Sequence, residues 1–306
     1  MQSTKGSNVR SGKGLQRLMV GGAAVAALTL TMTACGSGDG GSGGGKEKKQ
    51  ITVGYIAWDE DVAVSNLWKK VLESKGYTVK MTQLDAAPLY AGMAKGDIDV
   101  FYDAWLPKTH ETYWKRYGSK LNDAGVWYDS ATLGLAVPDY VKAQSIADLK
   151  SMGGQFGDQI IGIEPGAGEM RTVKDKIMPG YGLGNMKLVQ SSTPAMLAQL
   201  KKSISQKKPI VVTLWKPHWA YSKFPIRDLK DPKGAWGSPE KLHTLTSKDF
   251  KTNSPQAYKW FSKFKMNDKD LSKLEADVQN AGKGKEAEGV QKWMDANKDF
   301  VKSMTS

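Results

Sequence analysis

A chain of 306 residues, 40% hydrophobic and 25% charged, is long enough to bury one large core or two medium ones, and its composition excludes a disordered or fibrous chain. The net charge of +13 comes largely from lysines mixed with acids along the chain. With no Arg/Lys stripe interleaved with aromatics, this argues against a nucleic-acid binder and for a basic, solvated surface compatible with an anionic membrane or cell wall.

In chain order, residues 1–34 read as an export signal. A basic region from Lys5 to Arg17 precedes an apolar stretch over 18–30, and small residues then lead to Cys35. The stretch is too short and too rich in Ala and Gly for a transmembrane helix. It resembles a bacterial lipoprotein signal, with Met32 where Leu is usual, and Cys35 becomes the lipidated first residue of the mature chain. Cys35 is the single cysteine, so no internal disulfide forms. Residues 35–49 are read as the lipidated cysteine and a Gly/Ser tether that holds a globular body away from a membrane.

The body begins near Gln50 with alternating strands and helices: strand 51–57, helix 63–74 stopped by Gly76, strand 77–84, a short helix opened by Pro88, and strand 97–102. A helix over 110–117 and a strand over 131–137, ended by Pro138, complete a first lobe, 50–140. This alternation predicts an α/β lobe with a largely parallel sheet. A second lobe, 141–242, repeats it. Ser145 is a good N-cap. Strand 159–163 runs into the turn Glu164-Pro165-Gly166-Ala167-Gly168-Glu169 and a helix from Arg171. Strand 187–190 leads to a helix capped by Ser191/Ser192, and strand 209–214 ends on Trp215. The C-terminal segment, 243–306, returns to the first lobe as helices whose apolar residues (Trp260, Phe261, Phe264; Val290, Trp293, Phe300) are read as packing.

Three apolar runs end on tryptophan: Trp58, Trp105 and Trp215. Ligands of open α/β sheets bind at the carboxyl ends of the strands. An indole left facing solvent there needs a reason, and three in equivalent positions suggest an aromatic box. Such a box suits a quaternary ammonium, which donates no hydrogen bond and is held through cation–π contacts worth roughly 1–2 kcal/mol per desolvated face. The far end of a zwitterion would meet His110 and the backbone amides of Gly168 and Glu169, where a Gly-rich turn opens a helix. The acidic run Asp59-Glu60-Asp61 is read as a solvated turn. Catalysis is not expected. The chain has no G-x-S-x-G or H-E-x-x-H, no cysteine nucleophile in the body, and no metal-ligand spacing among His110, His218 and His243. No metal or cofactor is implied.

Four segments together carry a resemblance: Tyr55-Ile56-Ala57-Trp58-Asp59, Asp103-Ala104-Trp105-Leu106-Pro107-Lys108-Thr109-His110, Gly162-Ile163-Glu164-Pro165-Gly166-Ala167-Gly168, and Trp215-Lys216-Pro217-His218-Trp219. They resemble the substrate-binding lipoprotein of glycine betaine/proline betaine ABC importers over about residues 51–264. The resemblance implies a two-lobed, type II periplasmic-binding-protein fold that closes on its ligand in a cleft between lobes. It puts Trp58, Trp105 and Trp215 around the ammonium, and His110, Gly168 and Glu169 at the carboxylate. The family's usual residue at 169 is apolar. The side chain of Glu169 would repel a carboxylate unless it points away or is paired.

The function so implied is capture of glycine betaine, with proline betaine a further ligand, for ABC-type import in osmoprotection. Carnitine, choline and ectoine are the alternatives on the same fold. The partners implied are a permease with a cytoplasmic ATPase. The chain would sit outside the cytoplasm on the cell membrane's outer face, held by its lipid anchor alone.

Overall fold

A computed structural model describes residues 47–306. The export signal, Cys35 and most of the Gly/Ser tether lie outside the described residues.

The chain opens with strand β1 (Gln50–Tyr55), helix α1 (Asp59–Ser74), β2 (Thr78–Gln83), α2 (Ala86–Lys95), β3 (Val100–Leu106) and α3 (Glu111–Tyr117). A long strand, β4 (Leu121–Pro138), follows, then α4 (Leu149–Met152), β5 (Gln159–Ile161), α5 (Gly168–Thr172), α6 (Met178–Tyr181), β6 (Lys187–Val189) and α7 (Thr193–Ser205). The remainder is β7 (Val212–Lys216), α8 (Ala220–Lys223), β8 (Ile226–Asp228), β9 (Glu240–Ser247), α9 (Phe250–Asn253), α10 (Pro255–Lys263), α11 (Asp268–Ala281), α12 (Glu286–Ala296) and α13 (Lys298–Ser303).

Among the described residues the strands form one curled sheet in the order β2-β1-β3-β9-β4-β7-β5-β6, with β8 also on β4. The β4 strand joins two halves: residues 121–131 pair with β9, and residues 132–138 pair with β7 and β8. The expectation of a largely parallel sheet is corrected here. Pairs β1–β2, β1–β3, β5–β6 and β5–β7 are parallel, but β3–β9, β4–β7, β4–β8 and β4–β9 are antiparallel. The strand–helix alternation correctly marks the parallel units at the outer ends of the sheet. It is silent on the antiparallel β4 and β9, which join the halves without crossover helices.

Several boundaries also move. Helix α1 starts at Asp59, four residues before its apolar periodicity begins, because its first turn is acidic and complements the positive end of the helix dipole. Residues 121–130, expected as connection, are strand, and Trp105 and Trp215 lie inside β3 and β7 rather than beyond them. Ser145 does cap as expected, in a reciprocal capping box with Asp148. Ser192 caps α7 by accepting from the Ala195 amide.

Two apolar cores back the sheet, and the larger of them reaches across both of its parts. The larger takes in β1, α1, α2, β3 and the C-terminal helices. There Trp68 meets Phe261 and Phe264 edge-on, at ring-centroid separations of 4.8 and 5.2 Å. The smaller gathers Leu135, Val137, Ile146, Ile160, Val173, Ile177 and Val211. No helix among the described residues is long and apolar enough to cross a membrane.

Candidate functional site

The segment that leaves β3 is held by its own backbone and by β9. The His110 amide donates to the Trp105 carbonyl at 2.9 Å. Glu240 on β9 accepts from the amides of Lys108 and Thr109 at 2.6 and 2.9 Å, and from the Thr109 hydroxyl. The His110 ring is fully buried. Its Nδ1 accepts the Trp105 amide proton at 3.1 Å and lies 3.1 Å from the Tyr90 hydroxyl. Burial, with the charge of Arg171 adding, pulls its pKa down to about 3. The ring is therefore neutral, and with Nδ1 used as an acceptor the proton sits on Nε2. That Nε2 is buried and has no partner among the described residues.

The facing half of the sheet brings β7 and the turn after β5. Leu133 of β4 pairs with Trp215 of β7. The Gly-rich turn is pinned by Glu164, whose carboxylate accepts from the Thr193 amide at 2.8 Å and hydroxyl at 3.0 Å. A helical run then begins at Gly168 rather than at Arg171, and the first-turn amides of Gly168 and Glu169 have no carbonyl of their own helix to bond. Gly168 is required by close approach: a Cβ there would stand 2.0 Å from the Thr109 carbonyl oxygen. Arg171 donates to that same carbonyl at 2.7 Å, and Tyr113 donates to the Gly166 carbonyl at 2.7 Å. These contacts draw the turn after β5 onto the segment after β3.

Trp58, Trp105, Trp215, His110, Gly168 and Glu169 all line one small cavity, together with Glu60, Thr109, Leu133, Ile163 and Ala167. Its empty space is about 260 Å³. The six residues singled out from the sequence thus come together from both halves of the sheet. The indoles are not left in solvent, as the strand-end argument supposed. Trp58, Trp105 and Trp215 are 5%, 3% and 3% exposed. Trp58 stacks on His110 with centroids 5.5 Å apart.

The acidic run after Trp58 needs the largest correction. It is not a solvated turn: Asp59, Glu60 and Asp61 are all buried. Asp61 accepts from the Ile56 amide at 2.7 Å and the Ser65 hydroxyl at 2.9 Å. Glu60 accepts from the Trp215 indole N–H at 2.7 Å. Asp59 accepts from the Trp219 indole N–H at 2.8 Å and from Gln279, and lies 3.0 Å from His218 Nε2.

Burial pushes both Glu60 and Asp61 up to about 7. Asp103, Glu169 and Glu275 are also buried, and burial first, then nearby carboxyls, raises each well above the ordinary range. The oxygens of these three have no hydrogen bond of good geometry, although the carboxyl of Asp103 lies against Glu60. No arrangement of His, Asp and Glu among the described residues forms a metal site.

Glu60 is the charged lining residue that sequence reasoning missed. Its signal was its place two residues after Trp58 in the first turn of a helix. Periodicity placed that helix too late, and so left the acids outside it.

A two-part curled α/β sheet, closed across a small aromatic cavity reached from both halves, defines the class of two-lobed periplasmic binding proteins. Over residues 49–296 the chain matches the family described as the substrate binding domain of the ABC-type glycine betaine transport system, and it belongs to that family. It is 37% identical over 158 residues to the glycine betaine/carnitine transport binding protein GbuC of Listeria monocytogenes. That match covers 51% of this chain and spans about half, 52%, of the relative's length.

The glycine betaine/proline betaine-binding periplasmic protein of Escherichia coli is 25% identical over 278 residues, covering 78% of this chain and 83% of that protein. Among solved structures, lactococcal OpuAC, closed and complexed with glycine betaine, superposes with a TM-score of 0.78 at 36% identity. It covers 84% of this chain and 100% of that one. The glycine/betaine/L-proline-binding protein of Borrelia burgdorferi also gives 0.78, at 32% identity over 84% of this chain and 97% of the other.

Proposed function

We propose that this chain is the extracytoplasmic receptor of an ABC importer, that it captures glycine betaine, and that proline betaine is a second ligand of the same pocket. The observation that carries the reading is the pairing of unlike groups in one cavity. Three indoles and a neutral histidine with an unpartnered, buried Nε2–H line the same space. Trp58, Trp105 and Trp215 hold the trimethylammonium group. His110 Nε2–H and the first-turn amides of Gly168 and Glu169 hold the carboxylate. Three faces at roughly 1–2 kcal/mol each fall short of the roughly −8 kcal/mol of a micromolar complex, so both ends are needed. The relatives named for betaine binding support the choice of ligand.

In this reading the lobes are 50–140 and 141–242, and 243–306 returns to the first. Ligand contacts made only when the lobes are together favour the closed form, which a permease with a cytoplasmic ATPase reads. Cys35 carries the lipid anchor and residues 36–49 the tether, which keeps the receptor at the outer face of the cell membrane. The receptor performs no chemistry on its ligand. Titrating the intrinsic tryptophan fluorescence with glycine betaine tests the reading directly. A saturable change that Trp105→Ala abolishes is expected. A flat titration in the native chain, confirmed by calorimetry, overturns it.

A further inference from the structure

Glu60 and Glu169 enter the cavity from opposite halves of the sheet, one from the first turn of α1 and the other from the first turn of α5. They are 0% and 3% exposed. One oxygen of Glu60 is taken by the Trp215 indole, while Oε1 of Glu60 and both oxygens of Glu169 have no hydrogen bond of good geometry among the described residues, although the Asp103 carboxyl lies against Glu60. No lysine or arginine is among the residues that line the cavity.

We propose that Glu60 and Glu169 are specificity-determining residues, an acidic seat beside the cationic end of the ligand that makes the cage select for charge as well as for shape. The inference rests on the proposed betaine reading. An aromatic cage alone accepts any bulky trimethyl group, since dispersion and desolvation act on a quaternary carbon as well as on a quaternary nitrogen. Two carboxyls buried without a counter-ion are costly when charged, and a ligand cation relieves that cost for the ionised form.

The groups facing Glu60 are Asp59 and Asp61 on its own helix, Asp103 on β3, His218 after β7, Glu169 on α5 and Glu275 on α11. Glu169 also faces Glu164, Asp228 and Tyr221. The set holds one histidine against many acids, so the seat stays partly protonated until a cation enters.

The test compares glycine betaine with 3,3-dimethylbutyrate, in which a quaternary carbon replaces the nitrogen and the carboxylate is unchanged. The native chain is expected to prefer betaine by at least about 100-fold, and Glu60→Gln with Glu169→Gln to lower that ratio by at least about 10-fold, the order expected for one nearby charge in a partly screened site. Gln keeps an acceptor for the Trp215 indole, so the cage wall is preserved.

If the double variant does not fold, the native chain alone decides: the betaine/isostere ratio should rise several-fold between pH 6.5 and 8.5 as the seat ionises. A folded double variant with an unchanged ratio, or a native ratio flat across that range, overturns the inference while leaving betaine binding intact. A native chain that binds neither compound overturns the betaine reading and this inference together.

Discussion

Two strand ends carry nearly the same local sequence and are put to different use. β3 runs out through Trp105-Leu106-Pro107 towards His110, and β7 through Trp215-Lys216-Pro217 to His218. Both X–Pro bonds are cis, both tryptophans are buried and line the same cavity, and both histidines are buried. After β3, the histidine turns Nδ1 inward onto the Trp105 amide and leaves Nε2–H free. After β7, His218 uses Nδ1 for the Ala220 amide and brings Nε2 against Asp59, and the indoles of Trp215 and Trp219 reach Glu60 and Asp59. The difference lies in what faces each segment. The first faces open cavity and the backbone of α5. The second faces the acidic first turn of α1. One end therefore keeps a free donor at the cavity, and the other spends its donors clasping the two halves together.

The largest effect should come from the contact that both ends depend on. With a Cβ placed 2.0 Å from the Thr109 carbonyl, Gly168→Ala cannot coexist with the closed arrangement. Betaine binding should fall by three orders of magnitude or more, roughly the loss of over 4 kcal/mol. The melting temperature without ligand should fall by much less than the binding loss implies, because the clash is confined to one contact between the halves. Calorimetry and a thermal melt on the same sample separate the two. A variant that binds normally would mean that the closed approach of α5 to Thr109 is not the binding state.

Next comes the cage. Trp105→Ala removes an indole face and the packing behind it, and a loss of roughly 2–4 kcal/mol, about 30- to 1,000-fold in Kd, is expected from a buried aromatic anchor. The comparison of the two histidines is sharper and smaller. His110→Ala should cost roughly 1.5–3 kcal/mol of betaine affinity, the worth of a hydrogen bond to a charged group, and should spare choline, which has no carboxylate. His218→Ala should weaken betaine and choline alike, by only a few-fold, since it acts through the clasp. Equal betaine-to-choline ratios in the two variants would erase the distinction between the strand ends.

Much of the site was legible in the sequence because its residues are chemically rare and sit at strand ends. Tryptophan after an apolar run, and histidine five residues on, mark the cavity wall without knowledge of the fold. The carboxyl ends of β3 and β7, and the turn after β1, do bring the three indoles together. What stayed hidden was set by long-range packing. That β9 returns to pair with both β3 and β4 depends on contacts more than a hundred residues apart in sequence, and Glu240 on that strand is what fixes the Lys108–Thr109 amides. The acids of α1 misled for a related reason. Three carboxyls in a row look solvated until indole donors from residues 215 and 219 arrive to meet two of them. Tyr90, which helps hold the His110 ring, is likewise invisible as a partner in sequence, twenty positions away on another helix.

The smallest effect separates the two ends by pH. Glu60 and Asp61, beside the β7 clasp, are raised to about 7 from an ordinary value near 4.5 for Glu and 3.8 for Asp. The folded form thus holds protons that the unfolded chain has released, and stability present at low pH is lost as pH rises towards 7. Asp103, Glu169 and Glu275 shift in the same direction. His110, beside the β3 end, is lowered to about 3 from 6.5, so its contribution runs the other way: present above pH 6.5 and lost as pH falls through that window. Five carboxyls against one imidazole leave the acids dominant. The ligand-free melting temperature should therefore fall between pH 5 and pH 8. Glu60→Gln should flatten that slope, whereas His110→Gln should steepen it, because removing the opposing imidazole leaves the carboxyls uncompensated. Thermal melts of the three proteins at half-unit pH steps read this out, and parallel slopes in all three would show that neither group titrates with folding.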